Sequence, residues 1–414
     1  MKETKFEKEI RKKQERRVQE LKQLEELSID LHDNPVAPKK PIEFRFDRKD
    51  ASTFEYPIGI GNHLIEKKSD GYCVHISVDK RSVEPIRIFS SNSNQWNPNC
   101  FPELLKDISK LPDGYYHGEM LGKAPNSLYF PSLMEFTAIE NRPKLNQNNV
   151  TKELIEKYPL KLDIFDALVM ERCRLASKPL RERRYTLEHT VEKSDNLGLS
   201  LQWLIDDEKD LKDHFIWAVD NGYEGLIAKD PNSLYVPGSR DNDWIKLKNF
   251  TTLDLAVLGF YQTEESKKAG KPFSAILVGS YNPKTKEFET VAKVKVGSKK
   301  DQDEIYKKVD VVQTSEDYNK VIQSNSHIRF NPAMESIERK IPDRIVTYDP
   351  KRLAIVEIQC LDVTYSENWH SCGLSYDNKR SHSLRIATFV KIRDDKRCLE
   401  DITTTQQILK YYTG

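Results

Sequence analysis

Long apolar runs are absent from this sequence, and their absence excludes one class of protein. No stretch of about 18 consecutive apolar residues occurs, so no part of the chain is expected to span a membrane as a helix. The N-terminus is charged from Lys2 onward and has no apolar signal core, which argues against secretion. We therefore expect an intracellular protein, in the cytoplasm or in a eukaryotic nucleus, with no membrane partner.

Cysteine is scarce and follows no metal-binding pattern. The six cysteines are scattered along the chain, and no two of them form a Cys-x-x-Cys pair. This distribution argues against a zinc ribbon and favours reduced thiols in an intracellular compartment.

An excess of charge of one sign is also missing, because 66 lysines and arginines balance 65 acidic residues. A near-neutral total can still hide a basic face, since nucleic-acid binding depends on where the cations lie. Basic residues do cluster at Lys246 and Lys248, at Lys293, Lys295, Lys299 and Lys300, and at Arg385, Lys391, Arg393 and Lys396. Each of these clusters, taken singly, is explained more simply as part of a solvent-exposed surface.

One short stretch contains a lysine that could become a nucleophile. Two lysines, Lys67 and Lys68, precede Asp70 and Gly71, and residues 72–78 then alternate as in a strand. A neighbouring cation and partial desolvation would lower the pKa of Lys68 and make its amine a nucleophile. Asp70 could place a metal or a hydroxyl group, and Gly71 lets the backbone approach a phosphate closely. Taken alone, an ordinary turn before a surface strand is the better explanation.

The periodicity divides the 414 residues into three parts, which suits two domains and an extension. Residues 1–42 are predicted to be a charged helical extension and a proline-rich linker, with a solvated appendage as the default and packing on the body as the alternative. Residues 43–249 alternate strands with helices. In that part we predict strands at 86–90, 115–121, 160–168, 224–230 and 243–248, and helices at 101–111 and 210–221.

Residues 250–414 are predicted to be mostly strand. The clear strands are 253–261, 274–281, 288–296 and 353–364, with a polar, partly helical stretch from 298 to about 340. About five strands in a region of this size suit a small OB-fold barrel, which is a common nucleic-acid platform.

Over residues 55–400 the motifs resemble those of the ATP-dependent DNA ligases, within the wider group of covalent nucleotidyltransferases. Glu66-Lys67-Lys68-Ser69-Asp70-Gly71 is similar to the family's Glu-x-Lys-x-Asp-Gly nucleophile motif, and His117-Gly118-Glu119 to its Asp-Gly-Glu. Ile164-Phe165-Asp166 resembles the adenine-stacking segment. Three further segments resemble the family's later motifs: Glu224 to Lys229, Tyr235 through Arg240 to Lys248, and Ser383 to Lys396. Six matches in the family's order are not plausibly accidental.

The resemblance implies an α+β fold, with a nucleotidyltransferase (ATP-grasp-like adenylation) domain at 43–249 followed by a β-barrel OB-fold domain at 250–414. It implies that Lys68 takes AMP from ATP and that the adenylate then passes to the 5′-phosphate of nicked double-stranded DNA. The implied metal is Mg²⁺ or Mn²⁺, and Glu119 and Glu224 would hold either this metal or the ribose. A monomer is the default expectation.

The resemblance also implies roles toward the nucleotide. Glu66 and Phe165 would contact adenine, while Asp70 and Gly71 would line the site beside the nucleophile. Lys229 would assist at the α-phosphate, and Lys246 and Lys248 would face the triphosphate. Arg240 would also bind the nucleotide. Arg393 and Lys396 would engage the pyrophosphate leaving group, and the N-terminal helix could contact DNA phosphates.

Three positions depart from the family's pattern. Cys73 and Ser91 stand where arginines are usual, and neither side chain can replace a bidentate guanidinium contact. Arg81, Arg87 or Lys80 could substitute from nearby. His117 replaces an aspartate. No room exists ahead of residue 43 for a large helical DNA-binding domain, so a compact ligase is expected.

Two alternatives stay open. The first is an RNA ligase or capping-type nucleotidyltransferase, and the second is a nick-binding protein with impaired sealing, which Cys73 and Ser91 would favour.

Overall fold

The structure is a computed structural model that describes residues 5–47, 63–122, 142–145, 147–205, 207–221, 223–313, 327–332, 341–349, 352–366, 369–374 and 381–413. Residues 1–4 of the predicted N-terminal helix and much of the polar stretch 298–340 lie outside these ranges. The chain divides into two units, Met1–Phe46 with Asp50–Asn249 and Asp47–Lys49 with Phe250–Gly414. None of the described helices is both long and apolar enough to cross a membrane. All six cysteines are free.

The first unit contains both predicted kinds of element. In chain order these are α1 (Lys5–Glu25), β1 (Lys40–Asp47), β2 (His63–Lys68), β3 (Tyr72–Val78), β4 (Ile86–Ser90), β5 (Gln95–Trp96), α2 (Pro102–Ile108), β6 (Gly114–Gly122), α3 (Lys152–Lys157), β7 (Leu160–Met170), β8 (Cys173–Arg174), α4 (Leu180–Thr190), β9 (Leu197–Leu199), β10 (Gln202–Ile205), α5 (Glu208–Asp220), β11 (Gly225–Lys229) and the start of β12 (Arg240–Tyr261). Every strand and helix predicted for residues 43–249 has a counterpart here.

Two antiparallel arrangements of strands organise this unit. One has the order β10-β2-β11-β12, with β1 also paired to β12, and the other has the order β5-β4-β3-β6-β7-β8. Apolar side chains of β3, β6 and β7 alternate toward α2 and α4, as their period-two pattern requires, and form a core that includes Val74, Ile76, Leu104 and Leu187. The chain crosses from the first sheet to the second between β2 and β3, so the residues after Lys68 lie between the two sheets.

The N-terminal segment is not a solvated appendage, so that expectation is wrong. Leu24 and Leu31 are fully buried in a cluster with Tyr115, Leu168 and Trp244. Apolar positions are sparse in α1, and those near its end are sufficient to bury one face. The buried face and β1 attach residues 16–46 to the first unit, as the alternative interpretation expected.

The second unit continues β12 from Phe250 and is mostly strand. Its further elements are α6 (Glu264–Lys268), β13 (Ala275–Asn282), β14 (Glu287–Lys295), α7 (Lys299–Lys307), β15 (Asp310–Gln313), β16 (Ile328–Arg329), β17 (Arg344–Thr347), β18 (Ile355–Cys360), β19 (Asp362–Ser366), β20 (Ser381–Arg385), β21 (Thr388–Ile392) and α8 (Thr405–Thr413). The strand predicted at 353–364 is wrong as a single element. At Leu361 the chain leaves the partners of β18, which are β12 and β21, and β19 pairs with β20 instead.

Four of the described pairings are those of a small barrel: β12 with β13, β13 with β14, β12 with β18 and β18 with β21. Apolar residues of these strands share one core, which includes Leu255, Val278, Val294 and Ile358. β14 and β21 approach one another, but no hydrogen-bonded pairing joins them among the described residues. The sheet is therefore not closed, and the OB-fold barrel stays a prediction.

Candidate active site

Lys68 is the last residue of β2, directly before the crossing between the two sheets. Its carbonyl accepts a hydrogen bond from the backbone of Glu224, 3.0 Å away, which ties the end of β2 to the start of β11. Gly71 completes the turn because a β-carbon there would lie 2.3 Å from the carbonyl oxygen of Met120. Only glycine fits this approach, so the Lys-x-Asp-Gly spacing is a packing requirement here.

Carboxylates surround the amine of Lys68. Its Nζ lies 2.6 Å from Oε2 of Glu224. Burial by itself lowers the pKa of Lys68, but Glu224, Glu119 and Asp70 stabilise the ammonium and the net effect is a raised pKa. The predicted lowering of the Lys68 pKa is therefore wrong.

Lys67 explains why that prediction failed. Side chains alternate along β2, so Lys67 points away from Lys68. Its Nζ donates to the hydroxyl of Tyr223 at 3.2 Å and lies 4.8 Å from the centre of that ring. The neighbouring cation in the sequence is thus on the other face of the strand.

Glu119 and Glu224 are brought together, as the metal prediction requires. Glu119 lies on β6 opposite Cys73 and accepts a hydrogen bond from the backbone of Gly71 at 3.2 Å. Burial raises the pKa of Glu119 to about 7, Lys68 opposes that rise, and Glu224 and Asp70 add to it. Burial is thus the main reason that the protonated form of Glu119 is favoured.

The two lysines of β12 lie on the same face, as predicted. Lys248 is opposite Gly225, which in turn is opposite Lys68, so the two amines approach the same carboxylate. Lys248 Nζ lies 3.2 Å from Glu224 Oε2. Burial lowers the pKa of Lys248, Glu224 opposes that effect, and the Lys68 ammonium adds to it. Lys246 Nζ lies 2.8 Å from Oε2 of Glu43 on β1, a residue that no motif indicated.

Glu66 and Lys229 form a buried ion pair that is separate from the contacts of Lys68. Glu66 is opposite Ile227 of β11, and its Oε1 lies 2.7 Å from Lys229 Nζ. Gln202 also donates to Oε1, and Ser200 donates to Oε2 at 3.3 Å. Ser200 and Gln202 were missed, because nothing in the sequence around β10 marks them as ligands of a carboxylate.

Aromatic rings enclose the ammonium of Lys229. Its Nζ lies 4.9 Å from the ring centre of Phe165 and 4.2 Å from that of Trp244. Trp244 is buried, whereas Phe165 is half-buried. Lys229 is 1% exposed and contacts Glu66 rather than the Lys68 cluster.

Three predicted residues are not brought to Lys68 by the described contacts. Arg240 is exposed at the start of β12, eight residues before Lys248, which is about 26 Å along a strand. Arg393 and Lys396 belong to the second unit, where both pair with Asp254 at 2.7 and 2.6 Å.

The unusual positions carry neutral side chains. Burial raises the pKa of Cys73, so its thiol is protonated, and burial lowers the pKa of His117 far below its ordinary value. Arg87 does not replace the missing arginine, because it lies opposite Ser77, about 13 Å along β3 from Cys73, and pairs with Asp33 and Glu84.

Arg81 and Lys80 do not replace it either. Arg81 binds Asp79 beyond the far end of β3, and the backbone of Lys80 donates to Asp113 there. Ser91 is exposed directly after β4.

Comparison with known proteins identifies this arrangement. A protein-family model described as "ATP dependent DNA ligase domain" matches residues 57–248. Residues 57–248 are therefore similar to an ATP-dependent DNA ligase domain. Within them the structure brings together Lys68, the carboxylates and Lys248.

Relatives of this ligase domain extend the likeness along the chain. A DNA ligase of Saccharolobus islandicus is 30% identical over 365 residues, which are 85% of this chain and 55% of that protein. A DNA ligase of Saccharolobus solfataricus shows the same identity and coverage. The chain therefore spans about half the length of the curated relatives it matches.

Solved ligase structures share the fold. A Lig E DNA ligase is 16% identical, with 86% of this chain and 99% of that chain covered and a TM-score of 0.50. A structure described as Pmar-Lig PreS3 is 18% identical, with 87% of this chain and 68% of that chain covered and a TM-score of 0.52. The coarse prediction of a ligase nucleotidyltransferase fold with mixed helices and strands is confirmed.

Proposed function

We propose that the protein is an ATP-dependent DNA ligase that seals 5′-phosphate/3′-hydroxyl nicks in duplex DNA through a lysine-AMP intermediate and a DNA-adenylate. The observation that carries the proposal is the position of the Lys68 amine. Within a ligase domain it lies 2.6 Å from Glu224, beside Glu119 and Lys248, at a turn that only glycine can complete.

In the first step the amine of Lys68 attacks the α-phosphorus of ATP. A nitrogen–phosphorus bond forms, the bond to pyrophosphate breaks, and the amine loses a proton. Because the pKa of Lys68 is raised, the amine is charged before ATP binds. Glu224 is in hydrogen-bonding distance to receive that proton.

The remaining steps carry the adenylate to DNA. An oxygen of the 5′-phosphate attacks the AMP phosphorus, the phosphorus–nitrogen bond breaks, and the Lys68 amine takes up a proton, which gives a DNA-adenylate. The 3′-hydroxyl then attacks the 5′-phosphorus, loses its proton to solvent, and AMP leaves. Each step moves negative charge among phosphate oxygens, so fixed cations supply much of the catalysis. Lys246 and Lys248 supply them here.

The donor set fits Mg²⁺ or Mn²⁺ together with the triphosphate. Mg²⁺ usually takes one or two carboxylates and completes its shell with phosphates and water. Glu119 and Glu224 would hold it, because both carboxylates lie close enough to the Lys68 ammonium to stabilise it. When bound, the metal would neutralise charge on the phosphate oxygens.

The adenine would lie against Phe165, near Glu66 and Lys229. Glu66 is a fixed acceptor and Lys229 a fixed donor, and both are buried. We therefore propose that Lys229 acts at the adenine base and not, as the resemblance implied, at the α-phosphate. Asp70 and Gly71 keep their predicted place beside the nucleophile, while roles for Arg240, Arg393 and Lys396 toward ATP stay predictions.

The second unit is proposed to be an OB-fold that contacts DNA. Four of its strand pairings are those of such a barrel, and the fold is a common nucleic-acid platform. Contacts to phosphates would weaken with salt. The monomeric state also stays a prediction.

Incubation with α-³²P-ATP and Mg²⁺ tests the proposal. We expect label on the wild-type protein, none on Lys68→Ala or Lys68→Arg, and an AMP adduct on Lys68 in mass spectrometry. Arginine keeps the charge but cannot act as the nucleophile, so it is the matched control.

Further substrates separate the alternatives. Label transfer to a nicked DNA duplex, followed by sealing, supports the ligase. Preference for GTP or for triphosphate-ended RNA would favour a capping-type enzyme. Nick binding without label on Lys68 would favour the binding protein and reject the proposal.

A further inference from the structure

Each lysine of β12 that faces the nucleotide site has a carboxylate partner. Lys248 pairs with Glu224, which belongs to a recognised motif and to the matched domain. Lys246 pairs with Glu43 at 2.8 Å, and Glu43 lies outside residues 57–248. The second partner therefore comes from the N-terminal strand.

The contact between Glu43 and Lys246 follows from the local alternation of β1 and β12. Ile42 and Phe44 pack on the apolar cluster that contains Ile245 and Leu247. Because neighbours on a strand point to opposite faces, Glu43 and Lys246 both point away from that cluster. Both side chains are largely shielded, with exposures of 25% and 20%.

Contacts along β12 hold β1 in place. Arg16 lies 2.6 Å from Asp243, and Lys39 lies 2.6 Å from Asp241. The backbone of Lys40 donates to the carbonyl of Ser239 at 2.8 Å. Glu43 is thus presented by a segment with several attachments to the strand that carries the lysine pair.

We propose that Glu43 is a positioning residue for Lys246. A lysine ammonium has three N–H donors, so one can bind Glu43 while two stay available for phosphate oxygens. Lysine has a long flexible stem, and fixing it before ATP arrives removes part of the ordering cost from the reaction. The carboxylate also reduces the local positive charge, so its removal should slow the chemistry without weakening ATP binding. This inference rests on the proposed function.

Single-turnover adenylation of Lys68 in the full chain, measured across ATP concentrations, tests the inference. For Glu43→Gln we expect the rate at saturating ATP to fall between about 3- and 30-fold, with an unchanged or lower half-saturating ATP concentration. Glu43→Asp keeps the charge and should recover part of the rate. Glu156→Gln is the control, because Glu156 pairs with Lys152 at 3.6 Å in an exposed position.

A double-mutant cycle separates positioning from a structural effect. In a Lys246→Met background, Glu43→Gln should have no further effect on the rate. An equal loss in both backgrounds, a wild-type rate in Glu43→Gln, or a loss that follows the melting temperature would overturn the inference. Absence of label on wild-type Lys68 would instead reject the proposed function itself, so the two failures are distinguishable.

Discussion

Around Lys68 the charges that decide its protonation come from β6, from the residue before β11 and from the turn after β2. Glu224, Glu119 and Asp70 stabilise the ammonium, while the adjacent Lys67 faces the other way. The raised pKa of Lys68 therefore favours the charged form of its amine. In the proposed reaction, bound phosphates and a cation would have to change this balance of charge before the amine could attack.

Glu119 gives a pH prediction at this scale. Its pKa is raised to about 7, so below that pH a proton competes with the metal for the carboxylate, and above it the metal binds freely. From pH 6 to pH 8 the Mg²⁺ concentration for half-maximal adenylation should fall about tenfold. Labelling rates in Mg²⁺ titrations at both values measure it.

Glu119→Gln is the control for that titration. The variant should need more Mg²⁺ at every pH, and its requirement should no longer change between pH 6 and pH 8. Equal Mg²⁺ requirements at the two values in the wild-type protein would contradict the prediction.

At the scale of elements, β11 holds the site together through one residue without a side chain. Gly225 has φ +138°, and a β-carbon there would lie 2.0 Å from the carbonyl oxygen of Leu247 on β12. It also separates Lys68 and Lys248 in the register of the three strands. The conformation and the close approach both require glycine.

Gly225→Ala should destabilise the first unit by more than about 2 kcal/mol and slow adenylation, because β11 must move and Glu224 moves with it. Urea unfolding followed by tryptophan fluorescence measures the loss. Four of the five tryptophans, Trp96, Trp203, Trp217 and Trp244, lie in that unit.

The matched control is Gly297→Ala, where a β-carbon would meet nothing within 4 Å. Its stability should stay within about 0.5 kcal/mol of the wild type. A Gly225→Ala protein that is as stable as this control would show that the strand tolerates a side chain.

At the scale of the whole molecule, the second unit contains Arg393 and Lys396, two cations that were predicted to engage pyrophosphate. Arg393 and Lys396 share Asp254, and Arg393 also pairs with Asp395 at 2.7 Å. These ion pairs are partly exposed and contribute little to stability. Removal of the two cations should therefore report on function more than on folding.

The double variant Arg393→Ala with Lys396→Ala should slow adenylation of Lys68 more than about tenfold and change sealing of a pre-adenylated nick less than about threefold. Separate assays on ATP and on pre-adenylated DNA measure the two rates. Lys308→Ala, which removes a cation paired with Asp394, is the control. Equal losses in both assays would assign the two residues to DNA binding instead.

Many of the residues and elements described above can be predicted from the sequence alone. The nucleophile motif, the carboxylates and the lysine pair lie on short segments whose residue types and alternation mark them, because strand periodicity places Lys246 and Lys248 on one face. The strands and helices of residues 43–249 are predictable for the same reason. The break at Leu361 is not, since β18 and β19 differ in their partners and not in their composition.

The sequence by itself determined which residue types meet at the site, because motif order and alternation are local properties of the chain. Only the tertiary structure decided their charge states and partners. Glu43 and Lys246 form an ion pair although they are 203 residues apart in the chain (246 − 43). Glu66 and Lys229 do so at a separation of 163 residues (229 − 66). Such pairs depend on strand register and burial, and neither quantity is encoded in the residues that flank them.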